Sequence, residues 1–253
     1  MAGTVGLSRI GGWVALVELD NPPMNSMNAD SCARMLDIFS ALQNDHDIRA
    51  IVLTGRGRAF CSGADLKEAS RAEGQGEGVS AFGKVLERVA ASRAPVIAAV
   101  NGHCIGGGLE LALCCDLRIA STDARFVCAG VNVGLMASTY RLPRLIGISR
   151  AKAMLLTGSP FEASVVEAWG LVTALHAPEQ LGEAALTLAR RIASRAPLSV
   201  EATKRFADRA VDLSPEEARQ LLFRELSVLQ ASRDHREAVS AFIEKREPVF
   251  SRS

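Results

Sequence analysis

The 253-residue chain has almost no excess of charge of either sign: Lys and Arg number 29, Asp and Glu 28. A surface that attracts nucleic acid needs a basic surplus or a basic stripe, and arginine here is spread along the chain. Long hydrophobic runs are also missing. The longest, Pro95–Val100, falls far short of the ~20 residues a membrane helix requires. The opening segment MAGTVGLSRIGG has no apolar stretch of the kind a signal peptide carries, so a cytoplasmic location is expected. Cysteines stand at 32, 61, 104, 114, 115 and 128 with no CxxC pair, which excludes zinc-ribbon and thioredoxin patterns. They are expected to be reduced thiols. Histidines 46, 103, 176 and 235 are scattered without ligand spacing, so no metal is expected. His103, beside the glycine run, is expected in a turn with a backbone partner.

What remains is a composition of 48% hydrophobic and 23% charged residues, ordinary for one globular unit. Short apolar, β-prone segments stand at Trp13–Leu19, Arg49–Thr54, Pro95–Val100 and Leu117–Ala120, most of them closed by turn residues. Residues 28–43 show helical spacing through Met35, Ile38, Phe39 and Leu42, with Asn28 or Asp30 as cap. Strand, turn and helix in repeated order argue for an α/β fold. Residues 70–79 carry three glycines and no periodicity, as a mobile surface loop would.

From about Arg150 the signals become helical. SVVE at 164–167 and SPEE at 214–217 have the form of capping boxes, and Pro215 suits a first helical position. Leu221, Leu222, Leu226 and Leu229 form an apolar face fit for an interface or an internal core. The chain divides into an α/β core, 1–195, and a C-terminal helical region, 196–253, packing on the core or on a neighbouring subunit.

The densest chemical signal is NGHCIGGGLELALCCD, 101–116. Glycines between a strand and an apolar helix let backbone approach a ligand closely. The first N–H groups of that helix lack internal partners and favour negative charge. The pattern suits an oxyanion or anion site, and it also suits a tight turn. No GK[ST] follows, the glycines are contiguous rather than GxGxxG, and Phe60 and Ala64 break a G-x-S-x-G elbow around Ser62.

A second stretch, GRAFCSGADLKE at 57–68, precedes the first. Together, AFCSGADLKE and PVIAAVNGHCIGGGLELALCCDLRIA closely resemble the crotonase superfamily, the enoyl-CoA hydratase/isomerase family. NPPMNSMN, LLTGSPFEASVVEAWGLV and AFIEKREPVF extend the resemblance over almost the whole chain. It implies a spiral of ββα units with C-terminal helices that build homotrimers or hexamers. It implies an acyl-CoA thioester as substrate, with coenzyme A arriving on the substrate and no separate cofactor. The N–H groups of Ala64 and Gly107 match the donors that hold the thioester oxygen. Ser62, Ala64 and Leu66 match the segment around the CoA adenine. Lys67 and Lys245 are candidates for CoA phosphate or ribose, or are solvated surface lysines.

Glu110 matches the first of two catalytic glutamates of true hydratases. The second falls at Gly130, and no carboxylate lies between Arg125 and Arg144. The following loop, GLMASTYRLPRL, is also about three residues short of the family pattern. Three consequences are open. Glu110 acts alone; a polar neighbour such as Asn132, Ser138, Thr139 or Tyr140 substitutes; or the glycine opens room for another acyl group. Hydration of a 2-enoyl-CoA is the expected reaction, double-bond isomerisation its rival within the family, and non-catalytic acyl-CoA binding the rival from another class.

Overall fold

The computed structural model describes residues 4–66, 68 and 77–253. Two sheets carry the chain. The larger is built from β1 (Thr4–Ile10), β2 (Val14–Asp20), β3 (Ala50–Gly55), β5 (Val96–Val100), β7 (Leu117–Ser121) and β10 (Ala174–His176), in that spatial order. β1 runs antiparallel to β2 and the others are parallel to their neighbours. The smaller contains β4 (Ala59–Cys61), β6 (His103–Ile105), β8 (Arg125–Val127) and β9 (Pro160–Glu162). Each of β3, β5 and β7 lies in the large sheet, and the strand that follows it lies in the small one. Helix α1 (Ala29–Asn44) enters β3; α2 (Glu77–Ala90) and α3 (Gly107–Cys114) follow the first two strand pairs. This is the expected ββα spiral.

Alternation explains the double burial of the large sheet. Ile51 and Leu53 of β3, with Val96, Ala98 and Val100 of β5, face a core shared with the small sheet, α1 and α2. Val52 and Ile97 face the other way, onto Leu181, Ala185 and Ala189 of α7 (Leu181–Ala193). Asn101 fixes the crossing between sheets: its side chain accepts from Gly55 N and donates to the carbonyls of Gly57 and Ala59.

Asn28 caps α1 by accepting from the Ser31 amide at 2.8 Å. The expected loop at 70–79 lies mostly outside the described residues, but Glu77 already begins α2. Its apolar face, Phe82, Val85 and Val89, docks on the core and carries the helix back to that point. His103 occupies β6 rather than a turn, its amide donating to Arg58 O at 3.1 Å.

The region after Arg150 is not purely helical. β9 pairs with β8 and β10 with β7, three residues each. Between them run α4 (Arg141–Ile146), α5 (Ile148–Thr157) and α6 (Ala163–Ala168). The box expected at 164–167 does not form. Pairing of Glu162 with Arg125 holds residue 162 extended, so α6 starts at Ala163 and Ser164 falls inside its first turn. The box at 214–217 forms in both halves, with Pro215 at the start of α9 (Pro215–Ala231).

α8 (Pro197–Ala210) is tied to the chain's own core. Glu201, 5% exposed, sits between Arg93 at 2.5 Å and Arg252 at 2.8 Å. Lys204 reaches Asp116 at 2.8 Å. By contrast α9 and α10 (Arg233–Glu244) leave Phe223, Val228, Phe242 and Ile243 exposed.

Candidate active site

Two backbone segments meet where the small sheet ends. After β4 the chain turns through Gly63 at φ +85°, and after β6 through Gly106 at φ +54°, conformations that favour glycine. A Cβ built on Gly63 would stand 2.7 Å from both N and Cα of Gly107. A Cβ on Gly108 would stand 1.9 Å from Cys61 O. Only glycine lets these segments touch.

The touching peptides aim their donors by a simple rule: in a trans peptide N–H and C=O point in opposite directions. Gly63 O accepts from Met27 N at 2.8 Å, and Asp65 N donates back to Met27 O at 3.0 Å. The Ala64 N–H therefore points away from Met27. Gly106 O accepts from Glu110 N at 3.1 Å, so the Gly107 N–H points out of the start of α3. Among the described residues neither N–H has a protein acceptor. Phe82 of α2 packs over the junction, its ring 2.7 Å from where a Gly107 Cβ would be. The result is two preoriented donors beside an apolar wall, suited to hold a developing negative oxygen.

Glu110 lies one turn along α3 and is half-buried. Its Oε1 accepts the backbone N–H of Ser138, and Oε2 has no partner among the described residues. Two thiols are close enough to feel its charge. Burial, reinforced by Glu110, pushes Cys128 up to about 12. Burial also raises Cys114 to about 11, with Arg141 opposing and Glu110 adding. Both are neutral near pH 7 and act as apolar lining. All six cysteines are free and buried.

Gly130 opens no space, contrary to one expectation. It is buried in a short 3₁₀ turn, Ala129–Val133. A Cβ there would lie 2.8 Å from Leu135 O and 3.0 Å from Ala137 N. The loop that follows folds back and fills the room a longer side chain would need.

With this geometry in place, the chain can be compared with known proteins. The profile of the enoyl-CoA hydratase/isomerase family matches residues 9–253. The chain belongs to that family. It is 39% identical to (E)-benzylidenesuccinyl-CoA hydratase of Thauera aromatica, covering 95% of this chain and 96% of that one. It is 35% identical to the short-chain-enoyl-CoA hydratase of Clostridium acetobutylicum, covering 93% of each. The crystal structure of the enoyl-CoA hydratase from Bacillus anthracis superposes with a TM-score of 0.95 at 30% identity, covering 98% of this chain and 99% of that one.

The family motifs fall unevenly around the site. Ser62, Ala64, Gly107 and Glu110 gather at the glycine junction or one helical turn from it. Leu66 is about half exposed just beyond, and Lys67 lies outside the described residues. Lys245 closes α10 at φ +56°, with no hydrogen bond or ion pair to the 62–66 segment. Of the polar candidates near Gly130, Asn132 is engaged with Gly158 O at 2.9 Å. Tyr140 is exposed beneath the Arg144 guanidinium at 4.3 Å, and Thr139 is exposed. The sequence had no signal for the Ser138 amide contact, which depends on a loop returning across 28 positions.

Among the described residues no group of His, Cys, Asp or Glu could hold a metal, and no helix is long and apolar enough to cross a membrane. A cavity of about 1000 Å³ opens at the far end of α3, between Cys114, Arg141, Lys204 and Val211. Its walls do not include Ala64, Gly107 or Glu110.

Proposed function

We propose that this chain is an enoyl-CoA hydratase that adds water across the double bond of a 2-enoyl-CoA, with Glu110 as its one acid/base carboxylate. The observation that carries this reading is the pair of N–H groups, Ala64 and Gly107, unpartnered among the described residues, with a half-buried carboxylate one turn from Gly107 on the same helix. The hydratase names of its relatives support it.

The thioester oxygen sits between the Ala64 and Gly107 donors. Water attacks the β-carbon while Glu110 Oε2 takes one of its protons. The π electrons move onto the thioester as an enolate, which the two N–H groups stabilise. Glu110 then returns the proton to the α-carbon, and the carboxylate is regenerated. Each donor of such a hole is worth about 3–4 kcal/mol of barrier. Ser62, Ala64 and Leu66 line the path of the CoA adenine, and Lys67 and Lys245 serve its phosphates or ribose. No cofactor beyond the substrate's own CoA takes part.

The exposed apolar residues of α9 and α10 fit burial between subunits of a trimer or hexamer. Buried, reduced thiols fit a cytoplasmic setting.

The test is turnover of purified protein on short, medium and long 2-enoyl-CoA esters, followed by loss of enoyl absorbance and by chromatography of the product. Wild type should hydrate at least one ester, and Glu110→Gln should lose ~10²–10⁴ in kcat. Appearance of a shifted double bond instead of a hydroxyl would select isomerisation, and tight binding with no product would select the binding protein.

A further inference from the structure

The loop that closes over Gly130 delivers a second polar group to Glu110. Ser138 is 1% exposed and its backbone N–H is spent on Glu110 Oε1. Its hydroxyl is buried with no hydrogen-bond partner among the described residues. Leaving a hydroxyl unsatisfied in the interior costs about 1–3 kcal/mol, so such a group implies an absent partner such as water or ligand. Its backbone is also unusual. Ser138 holds φ at +62°, where glycine would sit without penalty. The position thus keeps a side chain against its conformational preference, beside the carboxylate that the reaction needs.

Resting on the hydratase reading, we propose that the Ser138 hydroxyl holds the reacting water, standing where a second glutamate would otherwise grip it. The water lies between Ser138 Oγ and Glu110 Oε2. Oε1 is fixed by the Ser138 amide, so the carboxylate cannot rotate away. In the step itself the water oxygen bonds to the β-carbon and its proton passes to Oε2. The serine O–H neither forms nor breaks a covalent bond; it orients the lone pair that attacks. Asn132, Thr139 and Tyr140 do not compete for this role, since the first is bound to Gly158 and the others face solvent.

Ser138→Gly is the decisive variant, because it removes the hydroxyl, keeps the amide on Glu110 and relaxes the backbone. Ser138→Ala removes the hydroxyl and keeps the conformational cost. Two reactions are followed in each: hydration of crotonyl-CoA and longer 2-enoyl esters, and exchange of the α-protons of butyryl-CoA in D₂O. The exchange uses Glu110 and the oxyanion donors but needs no positioned water. Both variants should lose ~10- to 100-fold in kcat for hydration, with KM within about twofold and α-proton exchange nearly unchanged. The melting temperature of Ser138→Gly should equal or exceed that of wild type. Undiminished hydration in Ser138→Gly would overturn the proposal and leave the hydratase reading standing. Equal losses of hydration and exchange would also overturn it, showing that Ser138 only places Glu110. Wild type that exchanges α-protons but hydrates no ester would overturn both.

Discussion

Gly63 and Gly107 lie back to back: a Cβ added to Gly107 would stand 2.9 Å from the Cα of Gly63 and 2.7 Å from the Phe82 ring. This contact sets the spacing of the two N–H donors. Gly107→Ala should therefore separate them even though it removes neither. The expected outcome is a loss of ~10²–10³ in kcat/KM, comparable to deleting one donor. Steady-state kinetics beside circular dichroism checks it, since the fold should persist while turnover falls.

Placing a carboxylate at position 130 should not create a two-glutamate site. Its Cβ would meet Leu135 O and the Ala137 amide, both backbone, so the loop must open to admit it. Gly130→Glu should cost about 1–3 kcal/mol of stability and lower kcat, because opening the loop withdraws the Ser138 amide from Glu110. Melting curves and hydration rates on one preparation decide it; a rise in kcat would contradict the loop packing.

Glu201 joins the C-terminal region to the core through Arg93 and holds the chain's end through Arg252. Glu201→Gln leaves two largely buried guanidinium groups without a counter-charge. Such a loss costs roughly 3–5 kcal/mol, or a fall of about 6–20 °C in melting temperature for a chain of this size. Arg93 keeps its bonds to the carbonyls of Asp45 and Ile48, which favours the lower end. Calorimetry of the variant gives the answer.

Stability should decline in alkali. Burial raises Cys32 and Cys114 to about 11 and Cys61 and Cys128 to about 12, from an ordinary 9.0. A group raised in the folded state contributes stability that is complete below its unfolded value and is lost as pH climbs through the folded one. The melting temperature should hold to about pH 9 and fall from there toward 11–12. Over the same range the thiols should become reactive only as the protein unfolds, which a thiol reagent read against ellipticity would show.

Most of the large sheet was legible in sequence because β2, β3, β5 and β7 are five to seven residues long and buried on one or both faces, whereas β10 is three half-buried residues and gave no signal. The other exception is β1, whose exposed residues hide it: only Val5 is buried. The small sheet was not legible. β4, β6, β8 and β9 are three residues each, too short for any period, and they exist because their neighbours hold them extended. At the site, Gly106, Gly107 and Gly108 announced a close backbone approach, and Glu110 its position one turn on. Ser164 misled because a local pattern cannot see that Glu162 pairs with Arg125. Ser138 was one polar residue among four in sequence; only the returning loop distinguishes it.

Asn101 grips the crossings of two successive ββα units, and each unit donates one peptide to the junction. On the proposed mechanism, the part of the molecule that bears the reaction's charge is therefore main chain, welded at a seam. On the same proposal, the part that supplies water and shape is a single segment, 130–138, anchored at buried Gly130 and Ser138. The two can change independently: an enzyme of this design can acquire a new reaction by exchanging one loop while its electrostatic machinery stays untouched.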